Sequence, residues 1–188
     1  MKKLLCLLFI CLLLVGCEDK QDINEVNYTY DVNSRAVDMS GYDGLHSTGH
    51  QFVGITVDEL FNVIDNKSSG AFYLGRTNCA CCQTCIKYLN EVAANLNVTI
   101  YYLDAYDPIK PITDEEVIDK LTEYLYPILA EVDGERTLQT PTIFSVVNGE
   151  FKSSLICLGN WTFDDPPTNS QVKKLENKYT EILKPFCK

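Results

Sequence analysis

Residues 71–104, AFYLGRTNCACCQTCIKYLNEVAANLNVTIYYLD, decide the fold. They open on an apolar run, 71–74, of the length a buried strand needs. Gly75-Arg76-Thr77-Asn78 is a turn signal, and four cysteines follow within seven residues: Cys79, Cys81, Cys82 and Cys85. Ile86, Leu89, Ala93 and Leu96 then recur at three- and four-residue spacing, which puts them on one helix face. A second apolar run occupies 98–103. The pattern predicts strand, turn, helix, strand, with a C-x-x-C pair at the start of the helix. In that setting C-x-x-C reads as a redox motif rather than a zinc knuckle.

The chemistry needs this geometry. A thiolate, not a thiol, attacks a disulfide. The first turn of a helix carries unpaired N–H groups and the positive end of the dipole, so it favours an anion. Cys79 falls there and is the candidate nucleophile. Cys82, three residues on, is about one turn away and is the candidate resolving thiol.

The run YLGRTNCACCQ, residues 73–83, resembles the Y-x-G-R-x-x-C-x-x-C-Q signature of thioredoxin-like bacteriocin-transport accessory proteins. Downstream, Thr140-Pro141-Thr142-Ile143-Phe144 resembles the segment that carries the thioredoxin family's cis-proline. The resemblance covers roughly residues 51–184. It implies an α/β fold, a three-layer thioredoxin-like sandwich with a central mixed sheet and helices on both faces. It also implies that Thr140 and Pro141 flank the cysteine pair and bind an extended substrate. The chain departs from thioredoxin in three ways: Asn78 stands where tryptophan is usual, Tyr73 where a buried aspartate is usual, and Ala80-Cys81 contains no proline. These departures fit a protein with restricted partners.

Upstream, Met1-Lys2-Lys3 is a positively charged start, and 4–15 is an apolar stretch too short for a comfortable membrane span. Leu14-Val15-Gly16-Cys17 looks like a bacterial lipobox. The expectation is a signal peptide over 1–16, lipidation (palmitate) of Cys17, and a mature protein held on the extracytoplasmic face of the cell membrane, where disulfides persist. Cys6 and Cys11 leave with the signal peptide. Of nine cysteines, six then remain with free sulfur, an even number. Loss of Lys2 and Lys3 takes the net charge from −10 to −12, which argues against nucleic-acid binding and against electrostatic attachment to anionic lipid. Residues 17–50 read as a polar tether, partly ordered near the domain, with His46 and His50 as two solvated histidines in a Gly-flanked loop.

Residues 51–188 are long enough for one domain with a sizeable core. A short strand is expected at 52–55. Thr56 with Glu59 reads as a capping box for a helix that turns Val57, Leu60, Phe61 and Ile64 inward. Thr113 with Glu116 suggests another, with Val117, Ile118, Leu121 and Leu125 inward, ended by Pro127. Ile128, Leu129 and Val132 suggest a second short helix. A hairpin about Asn148-Gly149 and a final helix over 170–183, with Val172, Leu175, Tyr179 and Ile182 inward, complete the chain. The stretch 105–139 is longer than the minimal fold needs, so an elaborated third helix and a lip near the active site are expected.

The leading function is a lipid-anchored thiol–disulfide oxidoreductase acting through Cys79 and Cys82. It takes protein thiols or disulfides as substrates, together with a redox partner and no cofactor. The rival is a thioredoxin-fold copper or zinc binding protein that uses the same thiolates without turnover. Cys82-Gln83-Thr84-Cys85 is also a C-x-x-C, but taking Cys82 as first lengthens the strand-to-cysteine turn by three residues. Cys85 is then a small apolar residue facing the sheet. Cys81 is expected to be exposed. Cys157 and Cys187 are either a structural disulfide or two separate thiols.

Overall fold

The computed structural model describes residues 26–106, 112, 114–156, 161–162 and 165–187. Its elements are β1 (Phe52–Gly54), α1 (Val57–Asp65), β2 (Gly70–Gly75), α2 (Ala80–Leu96), β3 (Ile100–Asp104), α3 (Glu115–Leu125), β4 (Ala130–Val132), β5 (Glu135–Thr137), β6 (Thr142–Val147), β7 (Glu150–Ile156) and α4 (Asn169–Leu183). All six residues of β2 are buried, because it lies at the centre of a five-stranded sheet ordered β1-β3-β2-β6-β7. β1, β3 and β2 run parallel; β6 and β7 are antiparallel to their neighbours. Successive side chains of β2 supply opposite layers. Ala71 and Tyr73 join the core that also holds residues of α2 and α4, while Phe72 and Leu74 join the core that holds residues of α1 and α3. This is the expected α/β architecture, a mixed sheet with helices on both faces and a thioredoxin-like strand order.

Local rules explain the element ends. Thr56 caps α1 by accepting from the Glu59 N–H at 3.3 Å, worth about 1 kcal/mol. The Glu59 carboxylate does not close the box; it accepts from the Tyr30 hydroxyl and the Asn33 N–H instead. α2 ends at Asn97, in the left-handed region at φ 53°. α4 starts in a full capping box between Thr168 and Gln171. Thr113 lies outside the described residues, and Asp114 caps α3 by accepting from the Glu116 N–H. Four residues expected inward, Ile64, Leu96, Val117 and Val172, are only partly buried, and Ile118 is exposed. Each sits at the edge of its helix's apolar stripe.

Two expectations are corrected. There is no helix at 128–132. Pro127 turns the end of α3 into a short 3-10 turn, Tyr126–Ile128, and the chain then forms the β4–β5 hairpin about Asp133-Gly134. That dipeptide at positive φ is itself a two-residue hairpin signal. This hairpin, in place of an elaborated third helix, fills part of the stretch 105–139, and it leads within three residues to Thr140. The stretch read as a polar tether is also packed from residue 26 onward. Met39, Tyr42 and Leu45, spaced three apart, are buried beside Ile86 and Leu89 of α2, and Arg35 bridges to Gly54 of β1. Both ring nitrogens of His50 are engaged: Nδ1 accepts from the Phe52 N–H, which leaves Nε2 to donate to the Val37 carbonyl. Residues 1–16, read as a signal peptide, and Cys17 lie outside the described residues.

Candidate active site

β2 delivers the chain through Gly75 into the turn 76–78, and Cys79 becomes the N-cap of α2. Its backbone is extended, so its sulfur folds back over the first turn and accepts from the Cys82 N–H at 3.2 Å. A sulfur thus occupies the place where Ser or Asp oxygens usually cap. Cys79 is partly buried and Cys82 has no exposure. The peptide between Thr140 and Pro141 is cis, Pro141 is buried, and the Thr140 carbonyl lies 3.6 Å from Cys79 Sγ. The register explains this meeting: Thr142 pairs with Leu74, so β6 begins at the end of β2 from which the cysteine turn departs.

The electrostatics separate the two sulfurs. Hydrogen bonding from the Cys82 thiol, helped by the Cys82 N–H, Thr140 and the Arg76 charge, holds Cys79 down at about 5 against the opposing effect of burial. Cys82 is pushed well above the ordinary thiol range by its hydrogen bond to Cys79 and by burial. One sulfur is therefore a thiolate at neutral pH while its partner keeps the proton. Arg76 donates to the Tyr106 hydroxyl at 3.3 Å, and Asn78 donates to the same oxygen at 3.4 Å. Tyr106 is exposed and forms a wall beside the turn.

The other cysteines fall into distinct environments. Cys85 is buried, and burial pushes its thiol up to about 12, so it is inert at neutral pH. Cys81 corrects the expectation of an exposed thiol: it is partly buried and disulfide-bonded. Its partner lies outside the described residues, since Cys79, Cys82, Cys85 and Cys187 are all free. The Cys85 thiol sits 3.9 Å from the Cys81 sulfur. A Cys157–Cys187 disulfide is overturned by the free, exposed Cys187; Cys157 lies outside the described residues. Among the described residues no three potential metal ligands converge on one point.

Sequence reasoning missed the brace behind the site. Gln83, buried on α2, donates through Nε2 to the carbonyls of Gly41 and Thr77, and its Oε1 accepts from the Asp43 N–H. It ties the turn at 41–43 to the cysteine turn. Gly41 packs there so closely that a Cβ would lie 2.9 Å from Thr77 Cγ2. The available signal was the three-residue spacing of Met39, Tyr42 and Leu45 within an otherwise polar stretch.

No protein-family model matches the chain, and no curated protein does. Among solved structures the chain is similar to thioredoxin O2 from Arabidopsis thaliana in its oxidised state, at 14% identity over 74% of this chain and 96% of that one, with a TM-score of 0.42. It is similar to thioredoxin from Trypanosoma brucei brucei at 15% identity over 74% and 97%, with a TM-score of 0.44. It is also similar to Fasciola hepatica thioredoxin at 14% identity over 68% and 94%, with a TM-score of 0.40.

Proposed function

We propose that this chain is a thiol–disulfide oxidoreductase anchored by a lipid on Cys17 to the extracytoplasmic face of the cell membrane, acting on a narrow set of protein clients. The observation that carries the chemistry is the Cys79 sulfur at the α2 N-cap, accepting from the Cys82 N–H, with the buried Cys82 and the cis Thr140-Pro141 peptide beside it. The Cys79 thiolate attacks a client disulfide, forming a mixed disulfide and releasing one client thiolate. Cys82 then attacks Cys79 Sγ, the second client sulfur leaves with a proton, and two electrons have passed from the pair to the client. Run backwards, the same steps oxidise a client dithiol. Thr140 and Pro141 present backbone to an extended client strand. Among the described residues no group of three potential ligands supports the metal-binding rival.

Trapping tests the chemistry. Cys82→Ser accumulates client mixed disulfides on non-reducing gels, whereas Cys79→Ser and Cys85→Ser do not. Trapping by Cys85→Ser in place of Cys82→Ser rejects the assignment of the pair. A non-reducing peptide map of protein taken from the membrane tests the anchor. An acylated Cys17 at the N-terminus is expected. An unmodified Cys17, or a cystine linking Cys81 to it, rejects the anchor.

A further inference from the structure

The turn that carries Cys79 stands at the surface: Thr77 and Asn78 are exposed, and the Cys79 N–H reaches the Arg76 carbonyl at a long 3.3 Å. The Cys79 backbone is extended, at φ −101° and ψ 116°, and a sulfur folded back onto the Cys82 N–H needs that conformation. Gln83 grips the chain on both sides of this residue. Its backbone N–H donates to the Cys79 carbonyl at 3.0 Å, and its side-chain Nε2 donates to the Thr77 carbonyl. The carbonyls of residues 77 and 79 thus end on one amino acid, with the dihedrals that seat the sulfur between them.

The rest of the Gln83 amide is committed to the N-terminal segment. The side chain is buried; Nε2 also donates to the Gly41 carbonyl at 2.8 Å, and Oε1 accepts from the Asp43 N–H at 2.8 Å. Two carbonyls and one N–H demand two donors and one acceptor at the end of one side chain, which an amide supplies and a carboxylate or ammonium does not. The footing is itself fixed. The Tyr42 N–H donates to the Met39 carbonyl at 3.0 Å, the Leu45 N–H donates to the Tyr42 carbonyl at 3.1 Å, and the Tyr42 hydroxyl bonds that of Tyr102 in the core at 2.9 Å. Taking Cys79 as the nucleophile of the exchange chemistry above, we propose that Gln83 is a positioning residue for it, bracing the Cys79 backbone against the folded segment 39–45 so that the sulfur stays seated on the Cys82 N–H. Gln83 itself touches no client and no reacting atom. Without its amide the Thr77 carbonyl turns to water, the turn at 76–78 loosens, and the sulfur loses part of the hydrogen bonding that favours its anion.

The test is the pH dependence of Cys79 alkylation by iodoacetamide on the full chain with the Cys79–Cys82 pair reduced. Peptide fragmentation locates the label on Cys79, and the melting temperature is measured alongside. The parent midpoint is expected near pH 5. Gln83→Met keeps the length of the side chain and removes its hydrogen-bonding groups. It raises the midpoint by about one pH unit, the scale of one weakened hydrogen bond to a charged atom. An unmoved midpoint overturns the inference, and a lowered melting temperature beside it marks a structural role alone. Gly41→Ala reaches the same turn from the other side, because its Cβ would lie 2.9 Å from Thr77 Cγ2. It also raises the midpoint, and adding Thr77→Ser, which removes that methyl, brings the midpoint back. A Gly41→Ala midpoint equal to the parent's, or one that Thr77→Ser leaves raised, overturns the part given to the N-terminal segment. Alkylation needs no client, so these outcomes stand apart from the exchange reading, which falls if Cys82→Ser traps no mixed disulfide in the otherwise unchanged chain.

Discussion

The protonation of one sulfur sets the working range of the site. The folded pKa of Cys79 is depressed to about 5 from a thiol's ordinary value. Its ionisation therefore stabilises the reduced fold most fully above the ordinary thiol pKa, and that contribution is lost as pH falls through about 5. The same preference favours the reduced pair over the disulfide, which raises the reduction potential. Alkylation of Cys79 by iodoacetamide is expected to reach half its maximal rate near pH 5 and to be flat between pH 7 and 8. A midpoint above pH 8 would show that the cap and the Cys82 proton do not act on this sulfur. The C-x-x-C spacing made the pair legible from residue types alone. The fate of Cys81 was not, because a disulfide depends on where distant chain segments meet, and spacing carries no record of that.

At the scale of elements, β2 and α2 depend on a contact that only glycine permits. The Tyr73 ring edge occupies the space of a side chain at Gly75, so Gly75→Ala must push the ring or bend the cysteine turn. A loss of about 1–3 kcal/mol in denaturant unfolding is expected. The loss shrinks in a Tyr73→Leu background, because a double-mutant cycle reports the clash directly. A cost that is the same in both backgrounds would place the strain elsewhere. Periodicity placed β2, α2, β3, β6 and α4 because each has a long apolar stripe or a buried run, and the Asn148-Gly149 turn signal placed β7. It failed at 128–132, where Ile128, Leu129 and Val132 mimic a helix face while Pro127 removes a donor and Asp133-Gly134 supplies a turn.

On the scale of the whole molecule, residues 26–50 are part of the folded body. Met39, Tyr42 and Leu45 cover one flank of α2, and at about 1.5–3 kcal/mol for each fully buried side chain their loss is a large fraction of a domain's stability. A chain starting at Gln51 is therefore expected to unfold at markedly lower denaturant concentration than the full chain. It also loses the Gln83 brace, so its Cys79 pKa drifts back toward that of a free thiol. Equal midpoints would reduce the segment to a mere covering. Composition concealed this role, since three apolar residues spread through a polar stretch leave its average polar.

The N-terminal segment is pinned at a particular place. The Asn27 N–H donates to Asn148 Oδ1 at 2.9 Å, and its side-chain amide donates to the Lys67 carbonyl. Asn148 is the turn after β6, and Pro141, beside the cysteines, immediately precedes the same strand. Entry point and thiol pair thus stand at opposite ends of a six-residue strand, about 20 Å apart. The N-terminal segment thus clamps the foot of β6 while the reactive sulfur crowns its head, so the chemistry stands at the end of the sheet remote from where residues 26–27 are fastened.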